Sequence, residues 1–420
     1  MSRTILVSTV GGSSAPIIKS VQDSQPDVVY FIPSIDSETK LDEILREAYP
    51  DGNLPDIRRF SLTNPNDLVV AFQTCVEAFG SVKERAEDGD TIIADPTGGT
   101  KIMSAALVLA ASELGVRVDY VSGDRTKDGL GVVKNGSEYF VHTSHPYDLI
   151  ARSQKVRFCE FFNTYRFSSA IDICSDVVLR SSGELRELFK CLRMICDAYR
   201  HWDLFKFKSC GHELGSAHRN LTKFISGSPE STEPLRALAD QVQRNLEHVR
   251  EQPDERYSLE MADELVSNAR RRASEGKFDD AVARLYRALE MIAQVRFVET
   301  YGTSTTKFPI KELSDKARAE FFSGCEMTDT QDIGCMLAYK ILHSAGDEYG
   351  NRFIEKEREI RSILHLRNES ILAHGNRPMR ESDFEKLYEI FRDSFGIEGI
   401  VEFPRIELDD ILHIGLPRQT

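Results

Sequence analysis

Thr91-Ile92-Ile93-Ala94 runs directly into Asp95-Pro96-Thr97-Gly98-Gly99-Thr100-Lys101, which is followed by Ile102-Met103-Ser104-Ala105-Ala106-Leu107-Val108-Leu109-Ala110-Ala111. The first run reads as a buried strand and the last as a helix, with a glycine-rich turn between them. Such a turn aims backbone N–H groups outward from a helix N-terminus, where anions bind. A phosphate-bearing ligand is therefore expected at residues 95–101.

The same strand-then-helix rhythm extends on both sides of this loop. Ile5–Val10 reads as a strand, broken by Gly11-Gly12-Ser13-Ser14 before a helix from Pro16. Asp27–Ile32 and Ile57–Leu62 read as strands, Asp67–Glu84 as a helix and Val116–Val121 as a strand. The stretch from Leu130-Gly131 to Phe140 reads as a hairpin or terminal strand. Alternating elements predict a parallel sheet with helices on both faces. Ligands of such sheets sit beyond the C-terminal strand ends, and both glycine turns lie on that edge.

The pattern changes near residue 149. Helical stretches follow from Tyr165, from Leu185 and over Leu235–Glu251, with Glu251-Gln252-Pro253-Asp254 as a linker. Beyond it, Asp279–Ile292 is amphipathic, with Val282, Leu285, Leu289 and Ile292 on one stripe and aspartates at its start. Ile354–Ala373 reads as a second long helix. The fold class is thus α/β plus all-α: a Rossmann-like sheet domain at 1–148, a helical linking domain at 149–255 and a helical domain with a C-terminal tail at 256–420.

Bulk properties narrow the function. A chain of 420 residues with 41% hydrophobic residues accommodates several cores. A net charge of −14 argues against coating long DNA, and leaves room for a small local site for RNA or a nucleotide. The N-terminus enters a strand at once, without the pattern of a signal peptide. No apolar run approaches a membrane span. Eight scattered cysteines fit reduced thiols in the cytoplasm. Cys191, Cys196, His201, Cys210 and His212 match no common zinc spacing, so no metal site is expected. Trp202, Phe205 and Phe207 read as core, and His142 and His145 as a surface turn.

Two nucleotide readings fail on spacing. A Walker A loop carries Gly-Lys followed by Ser or Thr, whereas Thr100 precedes Lys101 and Ile102 follows it. The first turn is Gly-Gly-Ser-Ser, without the G-x-G-x-x-G dinucleotide pattern. A second constellation stands far from the sheet: Arg367-Asn368-Glu369-Ser370-Ile371-Leu372-Ala373-His374-Gly375. On a continuous helix Arg367 and His374 fall two turns apart on one face, with Gly375 as the cap. Histidine can move protons to and from ribose and leaving-group oxygens, and arginine can stabilise a phosphorane-like charge. The spacing alone also fits an ordinary helix, since Arg358 and His365 repeat it.

The sheet domain, with Thr9-Val10-Gly11-Gly12 and Asp95–Lys101, resembles a CARF (CRISPR-associated Rossmann fold) domain. The Asp279–Met291 helix with Arg367-Asn368 and His374 resembles a HEPN ribonuclease domain. In this order the chain resembles the CARF–HEPN ancillary ribonucleases of type III CRISPR systems. The resemblance implies a homodimer whose paired CARF domains bind a cyclic oligoadenylate, tetra-adenylate being favoured slightly over hexa-adenylate. It implies no other cofactor, no membrane partner and no stable DNA binding. It implies that Thr9, Gly11, Gly12 and Ser13, together with Thr97, Gly98, Gly99, Thr100 and Lys101, line the pocket. It further implies that Arg367, Asn368 and His374 cut single-stranded RNA without metal. Some relatives also cut their activator; Thr9, Ser13 and Thr100 offer hydroxyls for this, without an evident base. The competing reading is a sensor whose HEPN-like domain is inactive and serves only dimerisation or toxin-like partner binding.

Overall fold

The computed structural model describes residues 2–124, 136–143, 145–227, 233–251, 257–368, 370, 375–399 and 401–415. The chain forms two compact units. One comprises Met1–Phe158, Asp172–Arg193 and Leu408–Thr420, the other Cys159–Ile171 and Met194–Glu407.

The first unit is built on a sheet. Its elements run β1 (Thr4–Val10), α1 (Ala15–Ser24), β2 (Val28–Pro33), α2 (Leu41–Ala48), β3 (Asp56–Arg59), α3 (Leu68–Lys83), β4 (Thr91–Asp95), α4 (Lys101–Leu114), β5 (Arg117–Ser122) and β6 (Tyr139–His142). The strand order is β3-β2-β1-β4-β5-β6. Strands β1 to β5 pair in parallel, as the alternating sequence predicts. Strand β6 pairs antiparallel with β5, so the sheet is mixed at that edge. His142 lies in this strand and not in a turn. The Leu130-Gly131 part of the expected hairpin lies outside the described residues.

Side chains on β1 alternate between two cores, as a period of two requires. Ile5 and Val7 pack with Ala71, Phe79, Met103 and Leu107 under α3 and α4. Leu6 and Val10 pack with Ile17, Val21, Leu41 and Ile44 under α1 and α2. Both faces of the sheet are therefore buried, which is why its strands read as continuous apolar runs. The chain winds outward from β1 through β2 to β3, then restarts at β4 on the other side of β1. The β1/β4 boundary is thus a topological switch point, where connections leave to opposite faces and a crevice opens.

The helical part continues with α5 (Pro146–Ile150), α6 (Arg152–Asn163), α7 (Phe167–Arg180), α8 (Gly183–Asp203), α9 (Phe207–Gly227) and α10 (Glu233–Glu251). In the first unit the ammonium of Lys155, buried at 1% exposure, donates to the carbonyls of Leu412 and Ile414 at 2.9 and 2.7 Å. Those two bonds hold the segment from Leu408 in that unit. Burial pushes the Lys155 ammonium down to about 8, with Asp148 acting in the opposite sense.

The second unit holds α11 (Leu259–Ser274), α12 (Phe278–Tyr301), a small pair of β7 (Phe308–Pro309) and β8 (Thr330–Gln331), and α13 (Asp315–Phe321). It continues with α14 (Cys335–Ser344), α15 (Glu348–Asn368) and α16 (Glu381–Ile390). The expected stripe on α12 is the core: Val282, Leu285, Leu289 and Ile292 are all buried against Tyr339, Phe353 and Leu387. Trp202 is buried against Tyr199 and Phe403, whereas Phe205 and Phe207 are only half-buried.

A buried ion cluster ties the end of α8 to α11. Arg271, at 5% side-chain exposure, reaches Asp203 at 3.1 Å and Glu264 at 2.5 Å, and its guanidinium lies 4.2 Å from the Phe403 ring centre. Arg272 pairs with the same Asp203 at 2.6 Å. Removing one partner strands carboxylates away from water, which costs about 3–5 kcal/mol. Arg271→Met is therefore expected to destabilise the protein by an amount in that range in denaturant unfolding. Arg361→Met, which removes an exposed partner of Glu357, is expected to change it by less than about 1 kcal/mol. Equal effects of the two would contradict the cluster's role.

Candidate functional site

The loops after β1 and β4 meet backbone to backbone at the switch point. A Cβ added at Gly11 would stand 2.3 Å from the Gly99 nitrogen, and one at Gly98 would stand 2.2 Å from the Thr9 carbonyl oxygen. Neither neighbour is a flexible side chain that could give way. Gly99 has φ +91°, in the left-handed region that glycine adopts without strain.

Hydroxyls and one buried carboxylate lock this contact. Thr9 Oγ1 donates to the Gly98 carbonyl at 2.6 Å. Asp95, fully buried, accepts from the Thr97 amide at 2.9 Å, from the Thr97 hydroxyl, and from Ser8 Oγ at 3.2 Å. Burial pushes the Asp95 carboxyl up, and these hydrogen bonds offset that in part. Thr97 Oγ1 accepts from the Val121 amide at 2.9 Å, which ties the loop to β5. Thr100 caps α4: its hydroxyl accepts from the Met103 amide at 3.2 Å and donates to the Pro65 carbonyl at 2.6 Å.

The nine residues expected to line the pocket thus separate into two groups. Thr9, Gly11, Thr97, Gly98 and Thr100 form the frame, with their hydroxyls or backbone committed within the protein. Gly12, Ser13, Gly99 and Lys101 are exposed, and nothing stands within 4 Å of where a Gly12 Cβ would point. The Thr9 and Thr100 hydroxyls, considered above as reactive groups, are both held by protein partners. Lys40 was not read from the sequence. It lies at the end of the 3-10 turn after β2, and its ammonium donates to the Gly12 carbonyl. No motif marks it, and only the placement of β2 beside β1 brings it to this edge.

The second constellation lies in the other unit. Arg367 and Asn368 end α15, and Arg367 Nη1 donates to Asn368 Oδ1 at 3.2 Å. The Arg367 guanidinium lies 5.0 Å from the centre of the Tyr286 ring on α12. Asn368 is exposed and Arg367 half-buried. His374 lies outside the described residues. The helix expected to run unbroken to Ala373 ends at Asn368. There the Ser370 amide turns back to the Arg367 carbonyl at 3.0 Å, and Ser370, buried, forms a bridge with Arg377. The Gly375 amide donates to the Ser370 carbonyl at 3.0 Å. The Met379 amide donates to Asp279 Oδ2 at 3.1 Å, which fastens this segment to the start of α12. Tertiary bonds therefore override the helical periodicity here.

Among the described residues no cluster of three or more histidine, cysteine or acidic side chains could hold a metal. Cys191, Cys196 and Cys210 are buried free thiols, and burial pushes Cys191 up to about 11. No helix among the described residues is long and apolar enough to cross a membrane.

A sheet with a switch-point loop pair, followed by helices carrying an Arg-Asn constellation, is the arrangement of a CARF–HEPN ancillary protein. A family model of the Csm6 6H domain matches residues 150–252, and one of the Csm6 HEPN domain matches residues 251–395. Together they span more than half of the sequence, and the chain belongs to the Csm6 family of CARF–HEPN ancillary CRISPR proteins. Enterococcus italicus Csm6 bound to cyclic hexa-2'-fluoro-hexa-dAMP is similar in fold, at TM-score 0.59 and 14% identity over 98% of this chain and 97% of that one. Can2 from Sulfobacillus thermosulfidooxidans in complex with cyclic tetra-adenylate overlaps in part, at TM-score 0.26 and 13% identity over 48% and 67% of the two chains. No curated protein matches the sequence.

The loop contact makes a direct forecast. Gly98→Ala and Gly11→Ala each force backbone apart and are expected to cost about 1–3 kcal/mol in denaturant unfolding. Gly12→Ala enters open space and is expected to stay within about 0.5 kcal/mol of the parent. Tolerance of alanine at Gly98 would mean that the two loops do not touch.

Proposed function

We propose that this chain is a cyclic-oligoadenylate-activated, metal-independent endoribonuclease that cuts single-stranded RNA in CRISPR antiviral defence and works as a homodimer. The observation that carries the sensor half is the exposed set Gly12, Ser13, Gly99 and Lys101 at the β1/β4 switch point, with Lys40 beside it. Exposed amides, a helix N-terminus and two ammonium groups suit a ligand made of repeated phosphodiesters. The relative from Enterococcus italicus, whose structure carries a cyclic nucleotide analogue, supports that choice of ligand. In this reading residues 1–148 sense, 149–255 connect and 256–420 cut.

For the nuclease half, the chemistry follows from the residue types. A His374 imidazole takes the proton of a ribose 2′-OH, whose oxygen attacks the adjacent phosphorus. The bond from phosphorus to the 5′-oxygen breaks, leaving a 2′,3′-cyclic phosphate. A second imidazole, from the partner copy, protonates the departing oxygen. Arg367 neutralises the non-bridging oxygens as charge builds, and the Asn368 amide donates to them. One copy offers one imidazole and one guanidinium; two copies related by a two-fold axis offer both the acid and the base. A two-fold axis also suits a ring of identical units.

A surface for that second copy starts at the sensor loop. Lys101, Ala105 and Leu109 are spaced four apart on α4 and form one exposed stripe, with Leu109 51% exposed. Val69 on the neighbouring α3 is 64% exposed.

The test is cleavage of labelled single-stranded RNA in EDTA, with cyclic tetra-adenylate and cyclic hexa-adenylate in parallel arms. Cleavage is expected only with a ring, and His374→Ala is expected to lower it by about 100-fold or more. Cleavage lost on chelation would sink the metal-free mechanism, and full activity in His374→Ala would remove that residue. Lys101→Ala is expected to raise the activator concentration needed, leaving cleavage at saturation close to the parent value. Leu109→Glu is expected to yield a monomer by light scattering, and a retained dimer would place the interface elsewhere. If both rings bind and no RNA is cut, the sensor with an inactive helical domain is the correct reading.

A further inference from the structure

Arg367 is held by an aromatic face and, among the described residues, by no carboxylate. A carboxylate, Glu290, lies on the same helix as that ring. Tyr286 and Glu290 stand one helical turn apart on α12. Arg287 Nη1 reaches the same carboxylate at 3.3 Å and Gln294 Oε1 at 3.1 Å, and its guanidinium lies 5.5 Å from the Tyr257 ring centre. The order through space is therefore Arg287, Glu290, Tyr286, Arg367. Burial and the Glu290 charge push the Tyr286 hydroxyl up to about 12, with Arg367 acting the other way, so the ring remains a neutral phenol.

We infer that Tyr286 is a positioning residue for RNA cleavage: its ring holds the Arg367 guanidinium in place and shields it from Glu290. A guanidinium paired with a carboxylate has spent its charge, whereas one laid on a ring face keeps its N–H edges and full charge for a phosphate. Arg287 pairs with the Glu290 carboxylate. The inference rests on the ribonuclease reading above, in which Arg367 faces the scissile phosphate.

Single-turnover and steady-state cleavage with saturating activator tests it, in variants first shown to be dimeric and folded by circular dichroism. Tyr286→Phe keeps the ring and is expected to stay within about threefold of the parent. Tyr286→Leu removes the ring and is expected to lower kcat by about tenfold with little change in KM, as loss of a contact specific to the transition state requires. Adding Glu290→Gln to Tyr286→Leu is expected to recover most of that loss, because the Glu290 carboxylate is no longer there to capture Arg367. A purely packing role for Tyr286 would not be rescued by Glu290→Gln. Parent-like cleavage by Tyr286→Leu, or no rescue in the double variant, overturns the inference. Should Tyr286→Leu not fold, Tyr286→Met makes the same comparison. Arg367→Ala separates the two levels: if it cleaves as well as the parent, the ribonuclease reading falls, whatever Tyr286 does.

Discussion

Two backbones approach at the centre of the sheet's C-terminal edge more closely than any side chain permits. Gly11 faces Gly99, and Gly98 faces the Thr9 carbonyl, at separations that an added methyl group would close to under 2.5 Å. Much of this edge of the sheet follows from this approach. It sets where β1 and β4 end, where α4 begins, and which groups reach solvent. With the frame closed, the exposed residues Gly12, Gly99 and Lys101 share one edge. Asp95 supports the arrangement from below. It is a buried carboxylate that tolerates its position because two protein hydroxyls and one amide are directed at it.

Opposite solutions to the placement of charge appear in the two halves of the chemistry. At the glycine edge of the sheet, neither Lys40 nor Lys101 has an ion-pair partner among the described residues. In the helical unit, most arginines are consumed in ion pairs, Arg271 and Arg272 in a buried cluster and Arg296 with Asp347. Arg367 departs from that pattern by resting on a ring. The net charge of −14 makes such exceptions more telling, since an acidic surface repels an anionic ligand except where cations are kept free.

The sheet was legible because its signals are local and mutually consistent. Buried strands read as apolar runs, glycines marked both turns, and the change from period two to helical periodicity located the end of the sheet domain's pattern. The α12 core stripe was legible for the same reason. What escaped notice depended on contacts distant in sequence. Lys40 reaches the site only because β2 lies beside β1. The division of the nine expected pocket residues into frame and open surface required the Gly11–Gly99 approach. The end of α15 at Asn368 goes against a helical pattern that continues to Ala373, because Ser370 is drawn into a bridge with Arg377. Tyr286 reads as one more residue on an amphipathic helix, and only the fold lays Arg367 on its ring.

The central claim is that a ring bound at the glycine edge of two chains switches on a separate RNA-cutting site. Calorimetric titration of the full chain with cyclic oligoadenylate, read alongside RNA cleavage on the same samples, tests it most directly. The account predicts one ring bound per two chains, with cleavage rising in step and levelling at that ratio. Cleavage that is already maximal without the ring, or rings that bind with no change in cleavage, would contradict it.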